Sequence, residues 1–156
     1  MKKFISYALV FLSLVSTLSV AADSEDLALN LVQKYRFGQN LTPISYQVAS
    51  QTQTYRMIVS KVGEQKAQSI VKSEIDKVIP EYQNQWNKNL ASSYAEVISP
   101  EKLQSLVDEG PSSKYSGELK TKQSEIGPLM QSKSKDLLNE MLTKAMTSAF
   151  NQIVPK

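Results

Sequence analysis

The chain has 156 residues, 41% of them hydrophobic, with a formal net charge of +3 and neither cysteine nor histidine. Because the sequence contains neither residue type, it excludes disulfides, thiolate nucleophiles, Ser-His-Asp triads, and zinc or iron sites built on histidine or thiolate ligands. What remains is carboxylate chemistry and the metals that prefer oxygen ligands. Without disulfides, the fold must depend on a hydrophobic core, and this length is sufficient for one.

The N-terminus has the pattern of a secretory signal peptide. Two lysines precede an apolar run over residues 4–15, and small residues follow it. Ala21 and Ala22 fit the cleavage site, so we expect residues 1–22 to be removed and the mature chain to begin at Ala22 or Asp23. The apolar run is shorter than the roughly 20 residues that cross a bilayer. We therefore expect no stable membrane anchor after cleavage, and a periplasmic or secreted location.

Removal of the signal peptide lowers the net positive charge of the chain. Of the 18 basic residues two leave with the signal, so 16 remain against 15 acidic ones. A nucleic-acid-binding domain needs a clustered basic face to neutralise phosphates. A nearly neutral exported chain does not fit that requirement, so nucleic acid is not a predicted partner.

The first part of the mature chain predicts two helices and no strand. In the first helix, Ser24 is the expected N-cap before two acidic residues, and Gly38 ends the helix. The second is predicted to begin with Thr42 as N-cap and Pro43 at its first position, and to end at Gly63. No sustained alternation of apolar and polar residues indicates a strand.

A longer amphipathic helix is predicted from Glu64 to Ile98. Its large apolar side chains share one sector about 160° wide at helical spacing. They are Ile75, Val78, Ile79, Tyr82, Trp86, Leu90, Tyr94 and Val97. Pro80 lies within this helix, so we expect a kink, or a break with little change of axis. Aromatic residues at this spacing are typical of a core, and we interpret the face as buried rather than as a ligand platform.

The next helix is predicted to begin at a well-defined corner. Ser99 is the expected N-cap, Pro100 already has a helical φ, and Glu101 lies near the positive end of the helix dipole. The buried side of this helix is predicted to consist of Leu103, Leu106 and Val107. Gly110 and the proline after it end the helix, before a serine caps the following one. We interpret the corner as architectural rather than as a recognition signal.

The last helical segment covers about residues 113–154, and its apolar surface widens toward the C-terminus. Met141, Met146 and Phe150 on this surface are candidate partner-binding residues, because methionine adapts to irregular apolar partners. Such a surface can form a homodimer seam or a binding groove, but a central helix covered by the others is the favoured interpretation. Lys133 lies in the apolar stripe, either facing an anionic partner or covering apolar surface with its stem.

Paired carboxylates are the one enzyme-like pattern. Glu101 and Asp108 are seven residues apart, as are Glu118 and Glu125, which places each pair on one helix face about 10.5 Å apart. Acid/base catalysis also needs a cleft that raises one carboxyl pKa, and the sequence indicates none. We therefore predict no catalytic residue. Calcium loops and phosphate-binding loops are also missing, so we predict no metal site and no cofactor.

The segment WNKNLASSYAEVISPEKLQSLVDEG, which begins at Trp86, resembles the family called domain of unknown function 2059. These are small, exported, all-helical proteins of Gram-negative bacteria. Their pattern of an aliphatic residue, Ser or Thr, an acidic stretch and a Leu-x-x-Leu pair is matched by Ile98, Ser99, Glu101, Leu103 and Leu106. The resemblance covers residues 86–142, although Glu109-Gly110 replaces the family's Phe-Tyr pair and SSKYSG its Ser-Pro-x-Gly. It implies an envelope protein and transfers no catalytic residue.

The sequence thus predicts a single all-α domain of five or six helices over residues 23–156. We expect it to act without catalysis, through self-association as a homodimer or by binding an envelope partner with apolar helix surface. The alternative is a holdase-like periplasmic chaperone. The segment LTPISYQ resembles the Leu-Thr-x-x-Gln repeats of periplasmic stress chaperones, but it occurs once and its glutamine is one residue late. A carboxylate-based hydrolase is the least favoured function.

Overall fold

Seven α-helices and two short 3-10 turns form the part of the chain that the structure describes. The structure is a computed structural model that describes the backbone of residues 15–154 and the side chains of residues 23–154. The helices are α1 (Val15–Lys34), α2 (Leu41–Ser50), α3 (Gln53–Val62), α4 (Glu64–Val97), α5 (Pro100–Glu109), α6 (Ser116–Thr121) and α7 (Gln123–Asn151). The 3-10 turns are Phe37–Asn40 and Gly110–Ser112. The all-α prediction is confirmed, with seven helices in place of five or six.

Helix α4 lies at the centre of the domain. It packs against α1, α2, α3 and, most extensively, α7, while α5 packs on α1. The predicted apolar face of α4 is inside: Ile75, Val78, Trp86, Leu90 and Tyr94 are buried, and Ile79, Tyr82 and Val97 are half-buried. All buried apolar residues belong to one cluster, so the described helices form a single domain. Between residues 15 and 154, no helix is long and apolar enough to cross a membrane.

Helix α4 continues through Pro80, so of the two predicted alternatives, a kink or a break, the break is wrong. Pro80 removes the hydrogen bond that the Asp76 carbonyl would otherwise accept. Both residues are exposed. Water can therefore bind that carbonyl, and the buried side of α4 keeps its hydrogen bonds.

The predicted N-cap at Ser24 is wrong, because α1 begins at Val15. Ser24 lies within the helix, where the backbone N–H groups of its turn bond to carbonyls further upstream. Its hydroxyl is buried and has no hydrogen-bond partner among the described residues. Of the predicted signal peptide, residues 1–22, the backbone of residues 1–14 and all the side chains, including those of Ala21 and Ala22, lie outside the described part.

The predicted second helix is divided into α2 and α3 by a cap that we did not anticipate. Thr52 accepts a hydrogen bond from the Tyr55 N–H (3.1 Å) and donates one to the Ala49 carbonyl (2.7 Å). One hydroxyl therefore terminates α2 and begins α3. The predicted cap at Thr42 is wrong, because Thr42 lies inside α2. Gly63 ends α3 as predicted, with a φ of 80°.

The corner between α4 and α5 is partly as predicted. Ser99 has extended backbone angles, Pro100 is the first residue of α5, and Glu101 is in its first turn. The Ser99 side chain, however, makes no capping hydrogen bond, which corrects the prediction. Ser99 is exposed, so water can satisfy its hydroxyl, and its carbonyl accepts the Leu103 N–H (3.0 Å). The predicted buried side of α5, Leu103, Leu106 and Val107, is confirmed.

A tyrosine pair links α2, α3 and the start of α4. The Tyr46 and Tyr55 hydroxyls are 3.0 Å apart, and the Tyr55 hydroxyl donates to the Glu64 carboxylate (2.8 Å). The two rings meet edge to face, with centroids 6.3 Å apart. Burial, and then the hydrogen bonds with Tyr46 and Glu64, raise the pKa of the Tyr55 phenol well above its ordinary range.

The two candidate caps differ in their expected effect on stability. Thr52→Ala removes an observed capping bond and should lower the free energy of unfolding by about 1 kcal/mol. Ser99→Ala removes a solvated hydroxyl and should change it by less than about 0.5 kcal/mol. Urea denaturation of both variants measures the difference. Equal losses would contradict this assignment of the caps.

Alkaline pH should weaken the fold through Tyr55. The ordinary tyrosine pKa is 10.0 and the folded-state pKa lies above it, so above pH 10 the unfolded state releases a proton that the folded state keeps. The free energy of unfolding must then fall as pH rises through and beyond this value. Tyr55→Phe should reduce that slope while costing about 1 kcal/mol at neutral pH. Unfolding measured from pH 8 to 11 tests this, and an unchanged slope would refute it.

Candidate functional site

Two cavities lie end to end beside α7 and together form what we call the α2–α7 groove. One, of about 470 Å³, lies along the first half of α7, and the other, of about 460 Å³, lies along the second half. They share Val48 of α2 and Asn139 of α7. Helix α4 packs on both α2 and α7, whereas α2 and α7 contact each other at few positions. The groove is therefore the space left between two helices that share α4.

The groove has apolar walls and a nearly neutral polar rim. Its apolar side chains are Ile44, Val48, Trp86, Leu90, Ile126, Met130, Leu138, Leu142, Met146 and Phe150. Its polar side chains are mostly amides and threonines: Asn40, Thr52, Thr54, Gln123, Gln131, Ser134, Asn139, Thr143, Thr147 and Asn151. Lys135 is the one charged residue among the described residues that line it. Such a rim can hydrogen-bond a peptide backbone, but it offers little to an ionic ligand.

Hydrogen bonds hold two parts of the groove in place. The Trp86 indole N–H donates to the Asn40 side-chain oxygen (2.9 Å). The Ser134 hydroxyl accepts from the Asn89 amide (3.0 Å), which fixes α7 against α4. The Asn89 amide also donates to the Lys133 carbonyl (3.0 Å). These bonds tie the indole on α4 to the turn before α2, and the middle of α7 to α4, so the groove is largely preformed.

Val48 is the exposed apolar side chain of the groove. It is 37% exposed, and it lies on the wall that the two cavities share. The described part of the chain exposes two other large hydrophobic residues, Met57 and Val154, and neither lines the groove. Val48 thus presents apolar surface where a bound partner would cover it.

A third cavity, which we call the aromatic cavity, lies among α1, α4, α5, α6 and the start of α7. It has a volume of about 480 Å³. Phe37 stacks on Tyr35 and meets Tyr94 at an angle, with ring centroids 5.9 and 6.1 Å apart. The other lining residues are Leu31, Leu106, Gly110, Pro111, Ser116, Leu119, Lys120 and Gln123. Aromatic and aliphatic side chains therefore form most of its wall.

Tyr35 is positioned by the end of α5. Its hydroxyl donates to the Val107 carbonyl (3.3 Å), which also accepts the Lys34 ammonium (2.6 Å). Gly110 lies against this ring with a φ of 58°, and a Cβ atom at this position would overlap the Tyr35 hydroxyl. Both the positive φ and the close approach require glycine here.

The predicted partner-binding residues do not share one surface. Met141 is fully buried and lines none of the three cavities. Met146 is buried and Phe150 half-buried, and both line the groove. The Lys133 ammonium is 2.7 Å from the Glu96 carboxylate of α4. The widening apolar surface of α7 is thus mainly core, with its edge in the groove.

The predicted carboxylate pairs have structural partners. Glu101 accepts from the Tyr115 hydroxyl (3.2 Å), and Asp108 accepts from the Gln104 amide (2.8 Å). The Lys102 ammonium is 2.6 Å from Glu118, and the Lys122 ammonium is 2.7 Å from Glu125. Because Glu118 is in α6 and Glu125 in α7, their predicted common helix face is wrong. No carboxylate lines the three cavities, and the described residues hold no cluster of three that could bind a metal ion.

The sequence patterns did not predict the α2 side of the α2–α7 groove or the aromatic cavity. Val48 and Thr52 are four residues apart, so they would share a face of one continuous helix as well. That this face lies beside α7 follows only from the packing of α2 on α4. The rings of Tyr35 and Phe37 are far from Tyr94 in the chain, and their meeting depends on the packing of α1 against α4. Their aromatic character was the available signal, but it also fits an ordinary core.

Comparison of the chain with known protein families, with characterised proteins and with solved structures finds no match. The resemblance over residues 86–142 therefore remains a prediction. What the described residues define is a class, a single-domain all-α protein with apolar cavities between its helices.

Two glycines beside the aromatic cavity should respond oppositely to alanine. Gly110→Ala meets both a positive φ and the Tyr35 hydroxyl, and should lower the free energy of unfolding by about 2 kcal/mol. Gly117→Ala, in α6, meets no atom within 4 Å and should raise it by about 0.5 kcal/mol. Thermal or urea unfolding of the two variants measures both changes. A tolerated Gly110→Ala would mean that Tyr35 is free to move.

Proposed function

We propose that this protein is an exported, non-catalytic binding protein that holds an apolar segment of another envelope protein in its α2–α7 groove. The observation that carries the proposal is the exposed Val48 at the point where the two apolar cavities meet. Export and the envelope location rest on the predicted signal peptide and on the family resemblance.

The groove's dimensions suit a peptide segment. Along α7 it extends from Gln123 to Asn151, which is about 42 Å at the α-helical rise. An extended segment of about twelve residues has this length. Its apolar side chains would contact Trp86 and Phe150, and its backbone would bond to the amides and threonines of the rim. An uncharged segment is favoured because Lys135 is the groove's one charge among the described residues.

A second copy of this chain fits the groove less well. Filling it requires a protruding apolar ridge on the other molecule. The large hydrophobic residues exposed in the described part are Val48, Met57 and Val154. Val48 is in the groove itself, and Met57 and Val154 lie on different elements of the chain, α3 and the residues after α7. These surfaces offer no continuous ridge, so we favour a different protein as the partner.

Site-specific photo-crosslinking in intact cells tests this proposal. A photoreactive phenylalanine analogue at Val48 should give one predominant adduct with another envelope protein. The same analogue at Met57 is the matched control, because Met57 is similarly exposed (42% against 37%) but lies outside the groove. Adding Val48→Asp to a chain with the analogue at Thr143 should reduce that adduct at least about tenfold, since a carboxylate is costly against apolar walls.

Three other outcomes would reject the proposal. The same adducts from both positions would mean that the groove is not selective. An adduct with a second copy alone would identify a homodimer seam. Many unrelated adducts, with suppression of client aggregation by the purified protein, would identify the holdase-like chaperone.

A further inference from the structure

The aromatic cavity has the size and walls of a small-molecule site. Its volume of about 480 Å³ lies within the roughly 300–1,000 Å³ that such sites occupy. Leu31, Phe37 and Leu106 give it an apolar interior from three different elements of the fold. An aliphatic chain placed there would lose its contact with water without leaving a polar group unsatisfied.

One side of this cavity, formed by α4 and the junction of α6 and α7, carries three polar side chains, whereas the Tyr35 hydroxyl lies at the end of α5. Lys120 and Gln123 are one helical turn apart at the junction of α6 and α7, and the Gln123 amide is beside the Tyr94 hydroxyl. Tyr94 is 5% exposed and lines the cavity, so its hydroxyl is largely shielded from water. Burial raises the pKa of the Tyr94 phenol, so the phenol stays protonated and can donate.

Three other lysines around α6 have a partner within the fold, and one of them, Lys114, lies over the Tyr115 ring with its ammonium 4.9 Å from the ring centroid. Lys102 and Lys122 form ion pairs with Glu118 and Glu125. No described carboxylate lies within 4 Å of the Lys120 ammonium, although the side chain borders the cavity. The Lys120 ammonium and the Tyr94 phenol on this side are both hydrogen-bond donors. An anionic oxygen group of a ligand complements them.

We infer that the aromatic cavity is a binding site for a single-chain carboxylate amphiphile, such as a free fatty acid. The aliphatic tail lies among Leu31, Phe37 and Leu106, and the carboxylate is held at Lys120 with the Tyr94 hydroxyl beside it. Two donors match the two oxygens of a carboxylate. The inference does not depend on the proposed function, because the α2–α7 groove is a different cavity.

Helix α6 provides the route by which the ligand enters. It contributes Ser116, Leu119 and Lys120 to the cavity wall, but none of its six residues is buried. Part of its attachment is the contact of Lys102 with Glu118, at 2.6 and 2.8 Å. Displacing α6 therefore exposes little of the core, and opening can be local.

Titration calorimetry of the purified mature protein with decanoate, below its micelle concentration, tests the inference. We expect saturable binding at one site, with decanol at least about tenfold weaker because it lacks the charge. Affinity should rise about fourfold per methylene from octanoate to dodecanoate. Absence of saturable decanoate binding, or equal binding of decanol, would overturn it. Tighter binding of decyl phosphate than of decanoate would overturn the carboxylate assignment.

Variants localise the site. Lys120→Gln should weaken decanoate about tenfold and leave decanol unchanged, while Lys120→Arg keeps the charge and most of the affinity. Lys88→Gln is the matched control, because Lys88 is an exposed lysine that lines neither the groove nor the aromatic cavity, and it should leave the affinity for both ligands unchanged. Ser116→Trp should block both ligands by filling the cavity entrance, whereas Ser124→Trp, on the exposed side of α7, should not. Circular dichroism checks folding of each variant. Equal effects of Lys120→Gln and Lys88→Gln, or full binding by Ser116→Trp, would refute the site.

Discussion

The apolar face of α4 is the constraint on which the rest of the fold depends. This helix has 34 residues, and its large side chains from Ile75 to Tyr94 must leave water together. This face is too wide for one neighbouring helix, so α1, α2, α3 and α7 each cover a part. Because these helices pack on α4 more closely than on one another, gaps remain between them. The α2–α7 groove is one of these gaps, and the aromatic cavity opens where α1, α5 and α6 meet above Tyr94.

The two sites share this origin but differ in chemistry. The groove is long, and amides and hydroxyls surround it, which suits a neutral backbone with apolar side chains. The aromatic cavity is compact, and its lining includes the Tyr94 phenol, a hydrogen-bond donor, and the Lys120 ammonium, a cation. Gln123, the first residue of α7, lines both, so the two sites adjoin at the start of that helix. Neither of the two proposed binding roles needs histidine or cysteine, which this chain does not contain.

Helix faces were predicted better than helix ends. The buried side chains of α4 and α5 follow from the 3.6-residue period, which holds however the neighbouring helices are arranged. An N-cap depends on which backbone N–H groups have no carbonyl partner within the helix. Those N–H groups change when a helix begins earlier in the chain or is divided in two. Ser24 lost its expected role because α1 begins upstream, whereas Thr52 gained one because α2 stops at Ser50. Ser99 has the backbone of a cap, but its exposed hydroxyl has water as a competing partner.

The sequence by itself determined the all-α class, the buried face of α4, the start of α5 at Pro100 and the exclusion of histidine and cysteine chemistry. Composition and local period are sufficient for each of these. Only the tertiary structure decided that Met141 is core while Phe150 borders a groove, and that Tyr35 and Tyr94 enclose one cavity. The physical reason is that the solvent exposure of an apolar side chain depends on the spacing of the helices around α4. That spacing results from packing all side chains at once, so no local pattern contains it.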